Sequence, residues 1–189
     1  MKQYTNKNIV VLLIALVVLA SLYRIMPNRP YGFAPQIAIA LFSGALFVKN
    51  KKWAFALPLL SMFLSDCLYQ LLYVSGLSEI RGFYEGQWEN YLLFAGVAFI
   101  GFAVKMNKVP SILVGALAAP TAYFLASNFL VWVTGGGYVR SKTFSGLLQS
   151  YSDGLPFYKN SVIASLVFST ILFGGYYLVK KYSVKKQLA

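Results

Sequence analysis

Histidine is absent from this 189-residue chain, cysteine occurs once, and aspartate and glutamate together number five. Each scarcity removes a class of chemistry. With no histidine and a lone thiol, Cys67, there is no intramolecular disulfide and no ordinary zinc or haem site. No nucleophile stands beside a general base, and no glycine-rich phosphate loop opens a helix. The sequence therefore reads as a non-enzyme that carries no energy coupling of its own. Charged residues make up only 12% of the chain, too few for the surface of a soluble domain of this length.

What is plentiful is apolar surface. Hydrophobic residues reach 58% and the mean hydropathy is +0.62, which places the chain among integral membrane proteins. Six apolar segments are predicted, over residues 8–25, 35–48, 53–74, 91–104, 111–133 and 161–179. They are continuous runs rather than ten-residue alternations, so helices and not barrel strands are expected. The expected fold is all-α, a bundle of six transmembrane helices forming one domain over residues 1–189. The second segment is short for a full crossing and needs a neighbouring helix or a thinned bilayer. Lys2 and Lys7 before the first segment resemble the start of a signal peptide, but no small-x-small site follows, so this segment reads as an uncleaved span.

The formal net charge is +12, yet the cations are sorted rather than spread. One set of connections and termini holds Lys2, Lys7, Lys49, Lys51, Lys52, Lys105, Lys108, Lys180, Lys181, Lys185 and Lys186, and no acid. The other set holds Arg24, Arg29, Arg81, Arg140, Lys142 and Lys159 together with Glu79, Glu85, Glu89 and Asp153. Lysine clusters beside apolar runs are topology determinants; they put both termini in the cytosol and leave no basic face for nucleic acid. The outer connections are the elaborated ones. Residues 75–90 mix acids with Phe83, Tyr84 and Trp88. Residues 135–160 open with Gly135-Gly136-Gly137, and residues 143–151 read as a short interfacial helix. Asn160, after Pro156, reads as the N-cap of the sixth span.

Asp66 is the most expensive residue in the chain, because it sits inside the third span. A membrane-embedded acid costs a few kcal/mol and needs a partner or a wet cavity. Arg24 and Arg140 are the natural partners, and two roles stand open: a structural ion pair, or the wall of a ligand cavity. Arg24, Asn28 and Arg29 cluster beyond the first span between stiffening prolines 27, 30 and 35, either to pair with outer acids or to meet an anionic or amide-rich ligand. Asn128 and Trp132 lie four apart on one face of the fifth span. Cys67 is a small hydrophobe or a thiolate ligand. A ligand cavity on the outer side would gather Arg24, Asn28, Asp66, Asn128, Trp132, Arg140, Tyr151 and Asp153, with Phe157 adding apolar area.

Several stretches carry a family likeness: Arg24-x-x-Pro27; residues 40–47, Ala-Leu-Phe-Ser-Gly-Ala-Leu-Phe; Pro58-Leu59-x-x-Met62-x-x-Ser65-Asp66; Asn128-Phe129-x-Val131-Trp132; Pro156-Phe157-x-x-Asn160; and Phe173-Gly174-Gly175-Tyr176. Together they resemble a family of small bacterial membrane proteins, similar in size and span count to the substrate-binding S components of energy-coupling factor transporters, particularly the BtuM-like cobalamin binders. The resemblance implies a six-helix bundle in the bacterial cytoplasmic membrane with a vitamin-sized cavity open outward. It also implies an energising membrane and ATPase module as partner. Cobalamin would be the transported ligand rather than a resident cofactor, with Cys67 as the candidate cobalt ligand. The competing expectation is a structural or assembly subunit of an envelope complex that binds no small molecule.

Overall fold

Among the described residues six helices follow one another: α1 (Lys7–Arg24), α2 (Gln36–Leu46), α3 (Lys51–Val74), α4 (Gln87–Phe102), α5 (Val109–Thr134) and α6 (Phe144–Gln187). They come from a computed structural model that describes residues 7–135 and 141–187, and no strand occurs among these residues. Three of the helices, α3, α5 and α6, are long and apolar enough to cross a membrane. Local signals set several boundaries. A proline opens α5, where its missing N–H is harmless. Gly135 closes α5 in the left-handed conformation at φ 93°, its N–H donating to the Val131 carbonyl at 2.9 Å. In the connection before α2, Asn28 takes φ 60°, a conformation its short polar side chain tolerates.

The short second segment becomes the centre of the bundle. α2 has 11 residues, roughly 16 Å of helix, about half the hydrocarbon thickness of a bilayer. Every position from Gln36 to Ala45 is buried. Enclosure on all sides needs close neighbours, and glycine supplies them. A Cβ on Gly44 would lie 2.2 Å from the Ala98 carbonyl of α4, and one on Gly101 would lie 2.4 Å from the Leu41 carbonyl of α2. The two backbones therefore touch. On its other sides α2 meets α3 through the Ser43 hydroxyl, which donates to the Ala54 carbonyl at 3.0 Å, and α6 through Phe42, edge-on to Phe173 at 5.1 Å.

The last connection, expected on the outer side, differs from expectation. Residues 143–151 form no separate interfacial helix; from Phe144 onward they are the first turns of α6, which continues through Pro156 for 44 residues, roughly 66 Å. Asn160 is consequently no N-cap but an interior residue, its side-chain amide donating to the Tyr31 carbonyl at 2.8 Å. The physical reason is packing against α5. Ser150 and Gly154, four residues apart, are buried and let the start of α6 lie close along the end of α5, while Gly146 packs against the Ser141 carbonyl. Ser150 donates to the Asn128 carbonyl at 2.8 Å, and Phe124 stacks on Tyr158 at 4.6 Å. These contacts hold the helix across the proline, as neighbouring helices do for prolines in spans. Further along, Ser161 donates to the Gly32 carbonyl and Phe168 packs on Tyr23 and Phe33. α6 therefore passes from α5 to α2 as it descends.

Candidate functional site

The buried acid Asp66 organises the end of the bundle where α1 ends and α4 begins. Asp66 is 1% exposed, on the face of α3 that meets both α1 and α4. Its Oδ1 accepts from the Arg24 guanidinium, which ends α1 and also donates to the Ser65 hydroxyl at 2.6 Å. Its Oδ2 accepts twice, from the Gln87 amide and from the Tyr91 hydroxyl, each at 2.6 Å. Three donors on two neighbouring helices thus converge on one carboxylate. A charge buried in this way is held by geometry and additional hydrogen bonds, not by Coulomb attraction alone.

Arg24 is fixed in turn. Its guanidinium lies 5.5 Å from the Tyr69 ring centre, and its carbonyl accepts from the Tyr69 hydroxyl at 2.6 Å. Arg29 pairs with backbone instead of an acid. It donates to the carbonyls of Arg24 at 3.2 Å and Phe33 at 2.8 Å, so it braces the connection from α1 to α2.

The connection between α3 and α4 folds back over this node. Gln70 on α3 accepts from the backbone N–H groups of Gly82 and Phe83, both at 3.2 Å. Gln87 donates to the Gly82 carbonyl at 2.8 Å while also holding Asp66. Gly82 lies so near α3 that a Cβ would come 1.9 Å from the Asp66 carbonyl and 2.4 Å from the Gln70 nitrogen. Only glycine permits that approach. Beside the node runs a second string of polar groups. Tyr123 on α5 donates to the Asn90 side-chain carbonyl at 3.0 Å, and the Asn90 amide donates to the Tyr84 hydroxyl at 2.6 Å. Burial pushes the Tyr84 phenol above its ordinary value of 10.0, against the lowering effect of the Asn90 bond.

The remaining expected site residues fall elsewhere. Asn128 donates to the Phe124 carbonyl of its own helix at 2.8 Å and packs against Gly154 of α6. Tyr151 donates to the Leu125 carbonyl at 3.2 Å. The Trp132 indole donates to the Ser141 carbonyl at 3.1 Å, and Lys142 closes the end of α5 by donating to the Trp132 and Val133 carbonyls. Those three residues belong to the α5–α6 pairing, whereas Arg24 and Asp66 belong to the α1–α3–α4 node. Asn28 and Asp153 are exposed, and Arg140 lies outside the described residues. Cys67 is a half-buried free thiol. Sequence reasoning missed Ser65, Gln87 and Tyr91. The signal for two of them was present: Gln87 and Tyr91 are four apart, on one face of α4, but the fourth span was expected to begin only at residue 91.

One sizeable recess is separate from all of these residues. A half-open cavity of about 610 Å³ lies between α1, α2 and α6, lined among others by Leu13, Leu16, Met26, Ile39, Phe168 and Gly175. No candidate polar residue lines it.

An all-helical fold with three membrane-length apolar helices and a buried carboxylate–guanidinium node is that of a membrane-type bundle. The chain belongs to the family of unknown function DUF6580, whose family model matches residues 3–187. No curated protein and no solved structure matches it.

Proposed function

We propose that this chain is a substrate-binding subunit of the bacterial cytoplasmic membrane, similar to the S components of energy-coupling factor transporters. In this reading all six helices lie in the bilayer, both termini face the cytosol, and a vitamin-sized ligand is taken from the outer side. The observation that carries it is the connection of residues 75–86 folded down over a polar and aromatic layer containing Arg24, Asp66, Gln87, Asn90, Tyr91 and Tyr123. A bundle held only by packing has no use for so many hydrogen-bonding groups at one level, and ligand sites combine apolar walls with a few placed polar groups. The connection acts as a lid. Lifting it exposes Gln87 and the Asp66–Arg24 pair to the outer side. Cobalamin or a related cofactor precursor remains the ligand class to test first.

The test is a thermal-unfolding screen of the full chain in detergent against a panel of vitamins and cofactor precursors, with mass spectrometry of co-purified small molecules. A ligand present at 100 times its Kd stabilises by about 2.7 kcal/mol, a clear upward shift of the midpoint. No shift with any compound and no co-purified molecule would overturn the reading.

One observation favours a second reading. Asp66 is fully partnered inside the protein, as a static clip between helices would be. A structural or assembly subunit of an envelope complex would carry such a clip. Crosslinking in native membranes separates the two, since the second reading requires a stoichiometric protein partner.

A further inference from the structure

The recess between α1, α2 and α6 lies apart from the outer polar layer. From Leu13 to Met26 it follows α1 for roughly 20 Å, somewhat more than the depth of one bilayer leaflet. Its volume is about 610 Å³ and its walls are almost wholly apolar, so it takes an extended alkyl chain.

Charge says what the chain is attached to. Gly175 and Tyr176 line the recess at one end, and the exposed Lys180 follows one turn beyond Tyr176 on α6. α1 begins at Lys7, and the connections and termini on this side carry lysine and no acid. Cations beside the mouth of an apolar slot complement a headgroup that carries a phosphate and net negative charge.

We infer that the recess holds one acyl chain of an anionic phospholipid, with its phosphate against Lys180. The lipid fills the gap that α1 leaves against α6 and ties the first helix to the bundle. This site requires only that the bundle lie in a bilayer and is independent of any outer ligand.

Two neighbouring glycines provide the test. A Cβ on either Gly174 or Gly175 meets no atom within 4 Å, so a larger side chain is accommodated at both. Only Gly175 lines the recess. The full chain and the variants Gly175→Leu, Gly174→Leu and Lys180→Gln are purified in mild detergent from the same membranes, and phospholipid per protein is measured by native and lipid mass spectrometry. The expected result is about one anionic phospholipid per wild-type chain, retained in Gly174→Leu and reduced at least fivefold in Gly175→Leu. The lysine variant should keep a phospholipid but exchange the anionic headgroup for a zwitterionic one. Equal lipid in the two glycine variants, no retained lipid in the wild type, a retained polypeptide in its place, or an unchanged headgroup preference in the lysine variant would each overturn the inference.

Discussion

The Gln87 side-chain amide lies 2.6 Å from the Asp66 carboxylate and 2.8 Å from the Gly82 carbonyl, so one residue joins the buried acid to the connection that covers it. Through Gln87 the α3–α4 connection, the first turn of α4 and the ion pair between α1 and α3 become one unit. Disturbing any part of that unit should be felt in the others.

Removing the acid alone is the harshest change. In Asp66→Leu the Arg24 guanidinium, the Gln87 amide and the Tyr91 hydroxyl lose their common acceptor, and breaking a buried pair from one side costs about 3–5 kcal/mol. Replacing both charges, as Asp66→Leu with Arg24→Met, removes the uncompensated cation and should recover a substantial part of that loss. Thermal unfolding of the two variants in detergent measures the difference; equal midpoints would show that the pair is not a coupled unit.

At Gly82 the covering connection rather than the acid is probed. Gly82→Ala places a methyl group within 1.9 Å of the Asp66 carbonyl, so the connection must lift. The expected loss is about 1–3 kcal/mol, together with faster proteolysis of residues 75–86 while the helices stay protected. Hydrogen exchange resolved by peptide locates the change.

The α2–α4 crossing should tolerate no enlargement. Gly44→Ala and Gly101→Ala each drive a Cβ into a carbonyl of the facing helix, at 2.2 and 2.4 Å respectively. Each is expected to lower stability by about 1–3 kcal/mol. Combining them should cost less than the sum, because once the helices have separated the second methyl meets less resistance. Gly96→Ala, whose Cβ would meet nothing within 4 Å, is the neutral comparison.

Orientation is checked by labelling. In a chain whose Cys67 has been changed to Ser, Asn50→Cys should react with a membrane-impermeant maleimide only after permeabilisation, and Glu79→Cys in intact cells. The reverse pattern would place the lysine-only side outside and remove the outer-facing reading altogether.

Most of the helical architecture could be read from the chain, because hydrophobic run length is a local property. The runs at 8–25 and 53–74 reappear almost unchanged as α1 and α3, and the shortness of 35–48 anticipated a helix dependent on its neighbours. The start of α6 could not be read. Pro156 and the polar stretch before it signal a break locally, and only contact with α5 outweighs that signal. Of the site, Asp66 and Arg24 were visible as a costly acid and a nearby cation, whereas Gln87 was hidden by its polar surroundings in sequence. Asn128 and Trp132 were expected in one cavity with Asp66, but nearby backbone carbonyls, of Phe124 and Ser141, accept from their side chains instead.

Sequence alone determined that the protein is helical and apolar, where lysine gathers, and that one acid had to find a partner within the bundle, since these follow from composition, run length and the penalty of burying charge. Tertiary structure alone decided which donors answer that acid, how the 75–86 connection closes over it, and where α1 stands away from α6 to leave a slot. Those outcomes depend on the approach of helix backbones at glycines and on donors far apart in sequence, and neither is encoded in any single stretch of the chain.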